Sequence, residues 1–437
     1  MQRRVFVRLI GGGVVTAAAA PALTACSSDF PAEALAAWQG PGNPPPPGTD
    51  PRRWLLAHAI LAPHSHNLQS WLVDLREPGV ITLSVDRGRL LPETDPFSRQ
   101  MMMSQGTFLE LLDQAARAIG LRAEITLFPD GVPPPDRLTD QPTARIRLLA
   151  QAGVTPDPLF AQIFRRRTNR EAYESREPDA QALRTIAESV TGHESGRGLR
   201  LDWTGAARGE ALRQHREIAM AAWKIEMETP RTILESYRWL RIGPKEIAQH
   251  RDGISINSPL VRALTAVGLF DRSVAPKPGD SAVAGQIRTF NERIASTPLF
   301  FTLVSADNLR PTQVAAGRAY VRAQLAATAL GISMHPLQQA LQEYPEQAAG
   351  YRQIHQLAGA TAPGETVQMW ARAGFAPPVS PAPRRGVEAH LTARGGAPHP
   401  PLARGGAGDW RKTGFLRHNQ AISGHTQRKK VACCYEN

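Results

Sequence analysis

Cysteine is nearly absent from this chain of 437 residues: only Cys26, Cys433 and Cys434 occur, none of them in the body. Disulfides therefore do not hold the core, and a cysteine-type structural metal site is excluded. Long uncharged apolar runs are missing too, so no internal membrane span is expected. A charge excess is lacking where a nucleic-acid surface would need one. The formal charge is +12, but residues 1–26 hold +3 and residues 392–437 hold +6, leaving +3 on residues 27–391. The basicity belongs to the ends, which argues against nucleic-acid binding. The length supports one large or two medium domains.

What is present begins with an address. Residues 1–26 carry Arg3-Arg4, a modest Gly/Val/Ala stretch and then Leu23-Thr24-Ala25-Cys26. The paired arginines suit twin-arginine export, and the last four residues resemble a bacterial lipobox whose Cys26 becomes lipidated. The expected location is the periplasmic side of the cell envelope, as a membrane-anchored lipoprotein; a chance basic start is the alternative. Residues 27–50, with "PGNPPPPG" at 41–48, are expected to form an extended, semi-rigid linker. The Gly/Pro/Arg-rich residues 392–437 show no apolar periodicity and are expected to be a disordered basic tail.

In the body, Asp50-Pro51 starts a short apolar helix that ends at Pro63. "WLVDL" and "ITLSV" alternate with period two around Glu77-Pro78-Gly79, which predicts a hairpin. A long helix runs to Gly120, a helix is expected over 206–228, a strand over 298–306 and a second long helix over 311–330, closed by Gly331. The long helices share Gly106/Gly317, Ala115/Ala326, Ala116/Ala327, Ala118/Ala329 and Gly120/Gly331 at a constant offset. Small residues on one face let two helices approach closely. An internal duplication follows, with two halves packed through a pseudo-twofold axis; two unrelated buried helices are the alternative.

Four polar stretches could carry chemistry: residues 63–69, "IFRRRTNREAY" at 163–173, "GISMHPLQQALQEYP" at 331–345 and "SPAPRRGVEAHL" at 380–391. If Arg166, Arg170, Arg384 and Arg385 converge, their repulsion opposes folding unless an anion sits among them, and a phosphate suits bidentate arginines. Separate solvated arginines are the alternative. His58, His64 and His66 lack a nearby Asp, Glu or Cys to complete a metal set. Ser65-His66 lacks the elbow that a serine nucleophile needs. Met101, Met102 and Met103 read as core filling.

Over residues 50–391 the chain resembles the nitroreductase superfamily, in its Acg-like branch of duplicated single-chain members. The resemblance rests on "APHSHNLQSW", "DRGRLLPETDPFSRQ" with the helix after it, "RRRTNR", "GISMHPLQQ" and "PRRGVEAHL". It implies an α+β fold of two tandem half-units, residues 51–160 and 161–391, packed as a pseudo-dimer around mostly antiparallel sheet and long central helices. It implies one FMN per chain between the halves. Arg166, Thr168, Arg170, Arg384 and Arg385 of the second half would hold its phosphate. Pro63, Ser65 and Asn67 of the first half would lie against its ring, with Gln338 and Gln339 near N5. The reciprocal site looks absent, because "DPRRWLLAH" lacks the phosphate spacing and "GISINSPLV" is a poor ring loop. Two departures from the family pattern stand out: His64 replaces a Ser, and Ser70 replaces the Pro before Trp71.

The implied activity is two-electron transfer to a nitro, quinone or related small-molecule acceptor. Export would separate the protein from nicotinamide donors, so its electron donor is unknown. Residues 229–285 lie where a lid would sit, and a closed lid would leave an FMN-binding or sequestering protein without turnover. A tethered binding lipoprotein without cofactor is a third class.

Overall fold

The chain builds the same antiparallel unit twice. In the computed structural model, which describes residues 29–277 and 279–392, the first unit contains β1 (Trp71–Asp74), β2 (Val80–Val85), β3 (Leu121–Leu127) and β4 (Ala144–Ala150), in the order β1-β2-β4-β3. The second contains β5 (Leu199–Thr204), β8 (Leu299–Ser305), β9 (Ser333–Pro336) and β10 (Thr366–Gly374), in the order β5-β8-β10-β9. In each, the last strand lies between the second and third, and every pair is antiparallel. A short parallel pair, β6 (Leu240–Ile242) and β7 (Ile254–Ile256), stands apart.

The helices are α1 (Ala32–Leu35), α2 (Arg52–Ala59), α3 (Arg99–Ala118), α4 (Ala180–Thr191), α5 (Gly209–Glu228), α6 (Pro230–Arg238), α7 (Gly243–His250), α8 (Pro259–Ala266), α9 (Ser281–Ala295), α10 (Arg310–Ala329) and α11 (Ala348–Leu357). Helices α3 and α10 each follow the second strand of their unit. Their bounds differ by one constant offset at both ends, the offset that also aligns their sequences. They are buried along almost their whole length and cross tightly. A Cβ at Gly106 would lie 2.0 Å from the Val314 carbonyl oxygen, and one at Gly317 would lie 1.9 Å from that of Met103. Met103 and Val314 are themselves equivalent at that offset, so the contact is reciprocal. Only glycine fits there. Glu110, buried on α3, accepts from Arg318 Nε at 3.0 Å and from Arg322 at 2.6 Å, tying it to α10. Burial alone would raise this carboxyl, but the two guanidiniums hold it down at about 2.

The halves differ most in one connection, and α11 is a further addition between β9 and β10. The first joins β1 to β2 by a short turn, whereas the second inserts residues 205–298 between β5 and β8. That insertion includes residues 229–285 and has its own core of Met227, Ile233, Tyr237, Leu240, Ile242 and Val283. Segment 253–261, the weak candidate for a second ring loop, supplies β7 and the start of α8. The chain after β10 crosses back to the first half, where Leu391 bridges Val73 and Thr392 N–H donates to Val73 O at 2.9 Å. This covers an otherwise open edge of β1.

Apart from α2, which ends at Ala59 and not at Pro63, the expected elements start and end within three residues of those observed. The expected linker differs more: residues 32–39 form α1 and a 3₁₀ turn, with Ala34 fully buried. The packed core reaches further toward the N-terminus because Ala34 O accepts from Arg384 N–H at 3.0 Å. The leader with Cys26, the tail beyond residue 392, and Cys433 and Cys434 lie outside the described residues.

Candidate active site

Residues 63–70 join α2 to β1 in a strained backbone. His66, Asn67 and Gln69 have φ of 47°, 53° and 54°, a region that costs non-glycine residues energy and persists only where the surroundings enforce it. Here side chains do so. Pro63 O accepts from Thr107 Oγ1 at 2.8 Å, and Ser65 Oγ donates to Gln100 Oε1 at 3.1 Å. Asn67 Nδ2 donates to Pro383 O at 3.0 Å, while its Oδ1 accepts from Arg384. Gln69 donates to Arg251 O at 2.9 Å and accepts from Arg385 N–H at 2.8 Å.

The two departures from the family pattern turn out to be partners. His64 Nε2 lies 2.7 Å from Ser70 Oγ and accepts from Ser70 N–H at 3.1 Å, a donor that proline lacks. His64 Nδ1–H is left to donate to Ser65 O at 2.8 Å, so both ring nitrogens are used. Burial pushes this imidazole down to about 3, and it is neutral at physiological pH. The three clustered histidines take separate partners. His58 packs against Trp54 and Phe160 in the core, and His66 Nε2 sits 3.2 Å from Ser236 Oγ.

Arg166 and Arg384 come together beside this loop. Arg166 donates to Leu61 O at 2.9 Å and Arg384 to Ala62 O at 3.0 Å. Arg167, which the sequence reading passed over, joins them. The Arg166, Arg167 and Arg384 guanidiniums lie 5.8, 4.5 and 5.4 Å from the centre of the Trp38 ring. Among the described residues none of the three has a carboxylate within ion-pair distance. Burial, reinforced by the neighbouring arginines, drives Arg384 well below its ordinary value, and burial brings Arg166 down to about 10.

The other phosphate candidates divide. Arg170 is exposed to solvent. Its charge acts on His66, His335, Tyr173 and Tyr320. Thr168 bridges Met334 through its backbone, with Oγ1 3.5 Å from Gln324 Nε2. Arg385 turns away from Arg384, bonding Gln69 and facing Asp252 and Asp86.

Gln338 and Gln339 follow β9. Gln338 Oε1 accepts from Arg99 at 3.2 Å, and Gln339 bonds the Glu226 carboxylate. Glu226 also bonds Ser236 and accepts from Gln342 Nε2 at 2.9 Å; burial pushes its carboxyl up to about 7. A polar run therefore leads from Gln339 through Glu226 and Ser236 to His66. The inserted segment also clamps the loop through Gly253 N–H, which donates to Asn67 O at 3.1 Å, and through Arg251. Sequence spacing carries no trace of these contacts.

No family model matches the chain. Over 131 residues it is 31% identical to each of two Mycobacterium tuberculosis proteins bearing the name NAD(P)H nitroreductase, a stretch covering 29% of this chain and 35% of each relative. This stretch of the chain is similar to those two nitroreductases. Its match spans about a third of the length of these curated relatives. Among solved structures, the FMN-dependent nitroreductase NfnB from Mycobacterium smegmatis, in complex with NADPH, is 18% identical. It aligns over 54% of this chain and 96% of its own with a TM-score of 0.34. A nitroreductase with bound FMN from Desulfitobacterium hafniense is 17% identical over 54% of this chain and 98% of its own, with a TM-score of 0.31.

The buried polar atoms test whether an anionic group fits. Arg166 Nε, Arg384 Nε and the Tyr320 hydroxyl are buried without a hydrogen-bond partner. Buried cations facing no carboxylate and a lone hydroxyl are costly as they stand. A phosphate would offset that cost.

Proposed function

We propose that the chain is an exported FMN-dependent oxidoreductase of nitroreductase type, binding one FMN between its halves. The observation that carries this reading is the buried Arg166–Arg384 pair with half-buried Arg167 beside it, without carboxylates, next to the strained loop that holds Asn67. In this reading Arg166 and Arg384 take the phosphate, with Arg170 and Tyr320 in reach of the same anion. Pro63, Ser65 and Asn67 border the ring, and Gln338 and Gln339 its reactive edge. Bound FMN would supply two-electron chemistry toward a nitro compound, a quinone or a related acceptor.

The chain's own residues do the rest. Glu226 holds a proton near neutral pH because burial raises its carboxyl to about 7, and Ser236 links it to His66 on the loop. Burial lowers His66 to about 4, so its ring is neutral and can receive a hydrogen bond. The Trp38 ring lies over the three guanidiniums. The names of the relatives make a nicotinamide the first donor to try, while Arg3-Arg4 and Cys26 support an enzyme held at the outer side of a membrane and served by another reductant.

A second reading has its own support: Ser236, Arg251 and Gly253 of the inserted segment already bond the loop, as a closed lid would, and such a protein would store FMN without turnover. The purified protein should be yellow and release FMN on denaturation. After anaerobic photoreduction, reoxidation by a nitroaromatic or a quinone supports the oxidoreductase. A yellow protein inert to both supports storage, and a colourless one that ignores added FMN removes both readings.

A further inference from the structure

Helix α8, within the inserted segment, has no buried residue. Leu260, Ala263 and Val267 recur at helical spacing along one side and are exposed. Leu260, Val267, Leu269 and Val274 are 62, 68, 63 and 60% accessible, and they account for most of the large apolar side chains that the described residues leave in solvent. Between Pro259 and Val274 three residues are charged: Arg262 is half-buried with its stem against Gly243, Arg272 pairs with Glu246 at 2.9 Å, and the exposed Asp271 accepts from Ser273 N–H at 2.8 Å. Exposed apolar side chains gathered in one segment in this way mark a contact surface.

The path of the N-terminal chain says what it contacts. Asn257, two residues before α8, donates from Nδ2 to Asp29 O at 2.6 Å, so the chain enters the described fold at the root of this helix. Cys26 is three residues earlier, and three extended residues span at most about 11 Å. A lipid on Cys26 would be held beside the apolar face. No helix among the described residues is long and apolar enough to cross a membrane, so the contact would be interfacial.

We propose that the face formed by Leu260, Val267, Leu269 and Val274 rests on the surface of a lipid bilayer. A single acyl anchor binds marginally and a second contact makes attachment stable; this face is that second contact. The same segment bonds the site loop through Arg251 and Gly253, so the surface that meets the bilayer belongs to the element covering the site. The Cys26 reading enters only for orientation, because the affinity of the face is its own.

The test uses the full chain with Cys26→Ser, which removes any lipid anchor, with and without Leu260→Ser, Val267→Ser, Leu269→Ser and Val274→Ser. Flotation with phosphatidylcholine vesicles keeps the charged tail from dominating, and the tail is common to both proteins. The chain with its apolar face should float, and the fourfold variant should bind about tenfold less or weaker, with an unchanged urea midpoint. Equal flotation of the two, or none with the face intact, overturns the proposal. So does a dimer in sedimentation without vesicles that becomes monomeric in the variant, which would assign the face to a second copy. Flavin content is read in both proteins and should match, so a failure of the FMN reading is scored separately.

Discussion

Replacing Gly317 by alanine tests the pseudo-twofold packing at its tightest point. The new Cβ would stand 1.9 Å from Met103 O, and the equivalent change at Gly106 would stand 2.0 Å from Val314 O. Ordinary carbon contacts begin near about 3.5 Å, so α3 and α10 must part by roughly 1.5 Å. The obstructing atom is backbone and cannot swing aside. Overpacking costs about 1–3 kcal/mol, and the upper end applies here. Alanine returns about 1 kcal/mol through its better helix propensity. Each single variant should therefore lose about 2 kcal/mol, read as a lower urea midpoint. The double variant should lose well short of the sum, because helices already parted by one methyl accept the second more cheaply. Gly285→Ala is the control: it lies in α9 with only Arg288 nearby, at 3.9 Å, and should gain up to about 1 kcal/mol. If Gly317→Ala behaves like Gly285→Ala, the close crossing is wrong and with it the reciprocal contact that relates the halves.

Three further outcomes follow from buried polar groups. Folding raises Glu226 from 4.5 to about 7 through burial, so the folded chain keeps a proton that the unfolded chain has released. Stability then falls as pH rises from about 4.5 to 7, and between pH 5 and 8 the native chain should lose roughly 3 kcal/mol relative to Glu226→Gln; parallel pH–stability curves would refute this. Glu110→Ala removes the acid that Arg318 and Arg322 share, while Arg318 keeps Glu194 and Asp113 and Arg322 keeps Asp157; it should cost about 1–3 kcal/mol in urea unfolding, and no measurable loss would contradict the ion-pair geometry. His64→Ala and Ser70→Ala should show a coupling of about 1 kcal/mol in a double-mutant cycle; additive losses would mean that the two departures do not compensate each other.

The parts legible in the sequence were those carried by local pattern. The glycine-to-glycine spacing located both long helices and their close approach, and alternation located the β1–β2 hairpin, because each signal lies within one element. Arg166 and Arg384 stand out because a near-neutral body gives clustered arginines a reason to meet an anion, and they do lie together. Arg385 and Arg170 could not be separated from them by spacing, since their directions depend on Gln69, Asp252 and the tyrosines. Trp38 was hidden in a proline-rich stretch read as linker; only its distant partners, Ala382 and the arginines, give it a place. Glu226 sits in an ordinary amphipathic helix, and its buried partner Gln342 is more than a hundred residues away in sequence. His64 and Ser70 looked like independent departures until their side chains were seen to meet.

The phosphate assignment is decided by titrating FMN and riboflavin, which differ only in the phosphate, against the full chain and against Arg166→Ala. FMN should bind one per native chain and much more tightly than riboflavin, and that preference should collapse in the variant while riboflavin affinity barely changes. Equal affinity for the two flavins in the native chain, or a preference that survives Arg166→Ala, would contradict the site described above.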